Sequence, residues 1–176
     1  MKEYIRISAP FCDEEILKLR AGDRVLLNGA IYTARDAGHK RFCDAIACGA
    51  ELPFDLNGQG IYYVGACFDN TGKPISAGPT TAMRMDKYAP ILYDCGVKAS
   101  IGKGDRSKEV YDAIVRNGAM YLCAIGGAGA IYADCIKSAT LIANADLGTE
   151  ATYRFEVEDF PLIVAIDCKG NSVFKN

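Results

Sequence analysis

Ile101-Gly102-Lys103-Gly104-Asp105-Arg106-Ser107 is the stretch on which the fold turns. An apolar residue that can end a strand gives way to a lysine held between two glycines. Ser107 then supplies the hydroxyl favoured at the N-cap of a helix, and that helix is predicted to run to about Gly118. Two other glycine-marked loops repeat the strand–loop–helix order. Ser76-Ala77-Gly78-Pro79-Thr80-Thr81 leads into a helical segment, Ala82-Met83-Arg84-Met85-Asp86. Pro90 breaks or restarts that helix and Gly96 caps it. Ile125-Gly126-Gly127-Ala128-Gly129-Ala130 opens a helix expected to reach about Lys137.

Outward from this middle, strands gain weight. Residues 5–8 read as a first strand, and residues 13–19 as a helix ended by Gly22. Residues 24–35 read as a hairpin turning at Asn28-Gly29, because Asn-Gly between apolar runs signals a tight turn. Asp36 is placed to cap a helix running to about Cys48. Residues 61–68 read as a strand, closed by the turn-rich Asp69-Asn70-Thr71-Gly72-Lys73. A strand near 153–157 and a hairpin over 162–173, turning at Lys169-Gly170-Asn171, end the chain. The expectation is an α/β fold in one domain over residues 1–176, a mixed sheet with flanking helices.

Composition narrows the function. Of 176 residues 50% are hydrophobic and 24% charged, which is a globular balance. A net charge of −2 gives no footprint for nucleic acid or an anionic membrane. No apolar run approaches the roughly 18 residues of a membrane span. The N-terminal Met1-Lys2-Glu3-Tyr4-Ile5-Arg6 alternates and carries charge, unlike a signal peptide, so a cytoplasmic protein is expected. The eight cysteines contain no C-x-x-C, and Cys43 and Cys48 are the only close pair. They are expected to be reduced thiols serving as small core residues, with no metal bound by this chain.

Three segments carry groups suited to chemistry. Ala34-Arg35-Asp36-Ala37-Gly38-His39-Lys40-Arg41 holds the single histidine and an arginine fork that fits a carboxylate; as a bare segment it also fits a solvated helical turn with an Arg–Asp pair. In Gly78-Pro79-Thr80-Thr81-Ala82-Met83-Arg84, a helix start would offer free amides beside the Thr80 and Thr81 hydroxyls, with Arg84 one turn on. A Thr cap with an ordinary surface arginine is the plainer alternative. Gly102-Lys103-Gly104 presents an ammonium on backbone that a ligand can approach closely, but it lacks the phosphate-loop spacing. Gly126-Gly127-Ala128-Gly129 reads as close strand–helix packing. Arg35, Arg84 and Lys103, with Thr80, Thr81 and His39, suit a small dicarboxylic acid. Removing hydroxide from a hydroxy acid needs a Lewis acid or an equivalent, and this set lacks a strong electrophile. Either the chemistry needs no metal, or a partner supplies one.

Taken in order, five segments resemble one family. They are Ala34-Arg35-Asp36-x-x-His39-Lys40, Leu52-Pro53-Phe54-Asp55-Leu56-Asn57-Gly58, Gly78-Pro79-Thr80-Thr81-x-x-Arg84-Met85-Asp86, Gly102-Lys103-Gly104 and Glu156-Val157-Glu158-Asp159-Phe160-Pro161. The likeness is to the β subunit, or C-terminal domain, of class I (iron–sulfur) fumarate hydratases and L(+)-tartrate dehydratases. It covers nearly the whole chain. The resemblance implies a swivelling β/β/α fold and a hydro-lyase. It also implies a partner α subunit carrying a [4Fe–4S] cluster, and hence a hetero-oligomer. Arg35, Arg84, Lys103 and Thr81 would bind substrate, Thr80 would lie near the reacting atoms, and His39 matches a histidine proposed as catalytic in the tartrate enzymes. Ala34 and Asp105-Arg106 look closer to the fumarase version than to the tartrate one. A non-catalytic small-acid-binding module is the alternative of another class.

Overall fold

Five strands run in parallel, and the segments joining them are long enough to cross back over the sheet. The computed structural model describes residues 3–174. The strands are β1 (Ile5–Ala9), β2 (Arg24–Thr33), β3 (Gly60–Tyr62), β4 (Cys67–Phe68), β5 (Pro74–Ser76), β6 (Ala99–Gly102), β7 (Met120–Cys123), β8 (Ile136–Ala143) and β9 (Thr152–Ile166). The helices are α1 (Asp13–Ile16), α2 (Asp36–Cys48), α3 (Ala89–Asp94), α4 (Lys108–Arg116) and α5 (Gly129–Asp134), with 3₁₀ turns at Ala82–Met85 and Ala145–Glu150. The main sheet has the order β1-β2-β3-β6-β7-β9-β8, and β9 also pairs with β2. β1, β2, β3, β6 and β7 are mutually parallel, while β9 is antiparallel to β2, β7 and β8. The β2–β9 pairing closes β2, β3, β6, β7 and β9 into a ring. The result is a single α/β domain with a mixed sheet and flanking helices.

Period-two alternation sorts the apolar residues into two cores. Tyr62, Val64, Met120 and Leu122 join Val25, Leu27, Ile31, Phe155 and Phe160 on one face of the sheet. Ile61, Tyr63 and Tyr121 point the other way, under Phe42, Leu92, Val110 and Ile114 of the covering helices. Burial on both faces explains why these short parallel strands read as unbroken apolar runs.

Several expected boundaries move. Residues 24–33 form one strand, not a hairpin. Gly29, at φ 97°, makes a bulge between Leu27 and Gly29, and a Cβ there would lie 2.3 Å from the Ala9 carbonyl oxygen. Neighbours on both sides, β1 and β9, hold the chain straight where a local turn signal would reverse it. The helix at 13–19 stops at Ile16, and Asp36 is the first residue of α2 rather than its cap. The strand expected at 61–68 splits into β3 and β4, with Val64 bridging to Pro79 instead. The segment after Thr81 is a 3₁₀ turn; Pro90 sits in the first turn of α3, which restarts the helix. α5 ends at Asp134, and the next residues build β8. The strand near 153–157 continues through Pro161 as β9, so the terminal hairpin keeps its turn but only the bridge Ile166–Ser172 of its return arm. Of the cysteines, Cys168 is buried and Cys43, Cys123 and Cys135 pack half-buried against the two cores, whereas Cys12, Cys48, Cys67 and Cys95 are exposed, so the expected core role holds for only half of them. All eight are free thiols.

Candidate active site

The parallel strands deliver the singled-out residues to one edge. Arg35 follows β2, Tyr63 and Val64 follow β3, Lys103 follows β6 and Ile125-Gly126 follow β7. The carboxyl ends of parallel strands are where open α/β sheets place ligand sites. Residues 79–82 are strapped across this edge. Val64 bridges to Pro79, and Thr81 pairs in parallel fashion with Lys103. The Thr80 amide donates to the Tyr63 carbonyl at 2.6 Å, the Lys103 amide to the Thr80 carbonyl at 3.2 Å, and the Ala82 amide to the Lys103 carbonyl at 2.8 Å. The free helix-terminal amides expected around Thr80 and Thr81 are therefore not all free. Thr81 is extended, at φ −60° and ψ 118°, so Thr80 and Arg84 do not share a helical face.

Arg84 is instead brought in by charge. Its Nε donates to Asp36 Oδ1 at 3.1 Å and its terminal nitrogen lies 2.8 Å from Asp36 Oδ2. Asp36 also lies 4.0 Å from Arg35, which pairs with Glu150 at 3.3 Å. The row Glu150–Arg35–Asp36–Arg84 thus runs along the strand ends. Lys103 lies across Gly126, where an added Cβ would sit 3.5 Å from its Cδ. No ion pair holds Lys103 among the described residues. Three cations against two carboxylates leave the edge with a positive excess for an anionic ligand.

His39 stands apart from the exposed edge. It has 0% exposure and packs against Phe42, Tyr63 and Tyr88. Its Nδ1 is 2.9 Å from the Arg35 carbonyl oxygen, so Nδ1 carries the hydrogen and Nε2 is a bare acceptor. Nε2 is buried with no hydrogen-bond partner. Burial drives its pKa down to about 4, against the opposing pull of the Arg35 carbonyl. The ring is neutral near neutral pH.

Beneath the strap lies a network that the sequence did not announce. Arg106 is buried; it donates to Asp86 at 2.7 Å, Ser100 at 2.8 Å and Tyr63 at 3.3 Å, and it stacks on Tyr63 and Tyr121. Asp86 Oδ2 accepts the amide of Ser107, which is the N-cap residue of α4. The pair Asp86–Arg106 locks the Thr80–Arg84 strap to the Lys103 loop. Asp86 and Arg106 both sit inside segments already singled out, but nothing local marks them as partners. Glu150 and Gly65, which flank Arg35, carried no signal at all. Gly129 bears out the packing role of its loop. A Cβ there would fall 2.6 Å from Ser76 Oγ, and its carbonyl accepts the Ala77 amide at 2.9 Å. A surface hollow of about 560 Å³ is lined by residues 50–56 and Cys95 and includes none of the site residues. The charge and hydroxyl pattern, not that hollow, marks the candidate site.

Residues 1–176 match the family described as Fumarase C-terminus. A putative class I fumarate hydratase of Geobacillus stearothermophilus is 39% identical over 99% of this chain and 34% of its own length. The anaerobic class I fumarate hydratase of Escherichia coli is 41% identical over 86% of this chain and 28% of its own. A putative L(+)-tartrate dehydratase subunit beta of Methanocaldococcus jannaschii is 38% identical over 92% of this chain and 87% of its own. The chain thus spans about a third of the fumarate hydratases it matches and most of the tartrate dehydratase subunit.

Proposed function

This chain belongs to the Fumarase C-terminus family, and we propose that it supplies the substrate-gripping half of a hydro-lyase site for fumarate and malate. The observation that carries the reading is the gathering of Arg35, Arg84 and Lys103 with Thr80 and Thr81 on one strand-end edge. Two guanidinium forks suit two carboxylates, and a third cation suits a hydroxyl or a carboxylate oxygen. In the reaction, water adds across the carbon–carbon double bond, a proton to one carbon and hydroxyl to the other. Thr80 stands nearest the reacting atoms and helps move that proton. Thr81 and Lys103 orient the acid. His39, shut off from solvent, serves the site by fixing the Arg35 carbonyl.

The described residues of this chain do not fit an iron–sulfur cluster. Among the described residues no three His, Cys, Asp or Glu side chains gather as metal ligands, and the thiols are scattered. In this reading a [4Fe–4S] cluster belongs to a partner α chain, and the two chains form a hetero-oligomer. The tartrate dehydratase subunit, which this chain matches over most of its length, supports a separate partner. No helix of the described residues is long and apolar enough to cross a membrane. The free thiols support a reducing, cytoplasmic setting.

The same relative motivates the second reading, dehydration of tartrate to oxaloacetate. Of Ala34, Asp105 and Arg106, Ala34 and Arg106 are buried, and the half-buried Asp105 accepts from the Tyr111 hydroxyl and the Arg106 amide. Their preference for the fumarase version rests on likeness alone. The test is to purify the chain anaerobically with the chain that accompanies it and to follow fumarate absorbance. Malate formation is expected. Arg84→Ala should lower kcat/KM about ten- to hundredfold, the cost of one charge-assisted bond. Turnover of tartrate but not fumarate would move the assignment to the second reading, and turnover of neither would leave a binding module.

A further inference from the structure

Arg35 has a long, flexible side chain whose own hydrogen bonds do not fix it. Its Nε is buried and has no partner. Beside the 4.0 Å approach of Asp36, the guanidinium is located from outside by two features. Glu150 holds one terminal nitrogen at 3.3 Å. Gly65 lies under the other: a Cβ at Gly65 would stand 3.0 Å from Arg35 Nη1 and 3.2 Å from the Thr149 carbonyl oxygen. Gly65 does not have a left-handed φ, so its lack of a side chain serves space rather than backbone conformation.

We propose that Glu150 is a positioning residue that aims the Arg35 guanidinium at a substrate carboxylate, across a bed that Gly65 keeps open. This rests on the reading above, in which Arg35 binds the dicarboxylate. The carboxylate of Glu150 is fixed in rotation as well as in place. While one oxygen faces Arg35, the other accepts the amide of Ala37, in the first turn of α2, at 3.3 Å. An acid at the start of a helix is also favoured by the helix dipole. The arch carrying Glu150 is tied at both ends to the elements that carry Arg35. On one side Arg41 of α2 donates to Asn144 at 3.0 Å and to Asp146 at 2.8 Å. On the other, Thr33 at the end of β2 donates to the Ala151 carbonyl at 3.2 Å and accepts the Tyr153 amide at 2.9 Å. Glu150 is thereby held in the frame of Arg35, which is what orienting a flexible fork requires.

The test is a double-mutant cycle in the assembled enzyme. Glu150→Gln keeps size and removes charge, and Gly65→Ala pushes on the guanidinium from the other side. Either change is expected to raise KM for fumarate and for malate about tenfold, with kcat moved less than about threefold. In an Arg35→Ala background the same changes should alter KM less than about twofold, since the group they aim is gone. A general structural role would act equally in both backgrounds. Additive effects, or a KM left unchanged or lowered by Glu150→Gln, would overturn the proposal, the last by showing that Glu150 competes with substrate. If Arg35→Ala itself leaves KM unchanged, the reading of Arg35 as a substrate ligand fails first. Melting temperatures of all variants confirm folding.

Discussion

His39 shows what burial does to a single side chain. The ring faces Tyr63, Tyr88 and Phe42, feels Arg106 and Asp36, and is neutral in the fold because charging it would strand an imidazolium in an apolar site. The sign of the pH dependence follows. The folded pKa of about 4 lies below the unfolded value of 6.5, so the unfolded chain binds the extra proton between them. The stabilising preference for the neutral ring is fully present above pH 6.5 and is lost as pH falls toward 4. The loss expected is about 3 kcal/mol. Urea unfolding from pH 7 down to 4 measures it, and His39→Gln should remove that part of the slope; parallel curves for the two proteins would sink the idea. The same scale shows which site residues were legible. Thr80 follows Pro79 and Lys103 stands between two glycines, and Thr81, Arg84 and Arg35 lie in the same short segments dense in polar groups, so local pattern finds them. Glu150 is not local. It meets α2 across 113 residues, and only closure of the ring of strands brings the two together. That His39 would be sealed was equally hidden, because its cover comes from Tyr63 and Tyr88 as well as from its own helix.

At the scale of elements, the Asn28-Gly29 pair is the instructive failure. Locally it encodes a two-residue turn. In the fold, the Asn28 side chain accepts the Asp159 amide at 3.0 Å, β9 pairs with β2 on both sides of the Asn-Gly pair, and β1 pairs with β2 through it, so the pair becomes a bulge inside a ten-residue strand. Gly29→Ala would have to adopt a left-handed φ and place a methyl 2.3 Å from the Ala9 carbonyl oxygen. The expected cost is about 3 kcal/mol. Because the clash is with β1, hydrogen exchange should speed first at the amides of Ile5–Ala9. Unchanged stability together with unchanged β1 protection would contradict this account. The strand–loop–helix units in the middle were legible because Gly, Pro and Ser mark their boundaries. β8 was not: Ile136–Ala143 lacks strict alternation, and its burial follows no period of two. Its identity comes from pairing with β9, a partner that sequence pattern alone does not reveal.

For the whole molecule, the strand-end edge carries exposed apolar side chains beside its charges. Ile125 is 61% exposed and adjoins Gly126, which lies against Lys103; Met83 is 57% exposed and adjoins Arg84. Ile75 and Ile131 are also exposed, on β5 and α5, which pack together through Gly129. The fumarate hydratases that this chain matches are about three times as long as the matched region. In the proposed assembly, a partner covers this rim and closes over the diacid. Ile125→Asp probes that directly. In the isolated chain the new carboxylate is solvated, so the melting temperature should stay within a few degrees. In the assembly the same carboxylate is buried unpaired at the centre of an interface, so the dissociation constant should rise about ten- to hundredfold. Val115→Asp is the matched control. Val115 is 47% exposed, at the far end of α4 against Gly170, where β7 begins rather than ends. It should leave assembly unchanged. Sedimentation of the two variants with the partner chain decides the matter. Equal loss in both would point to general destabilisation, and no loss with Ile125→Asp would mean that the partner seats elsewhere.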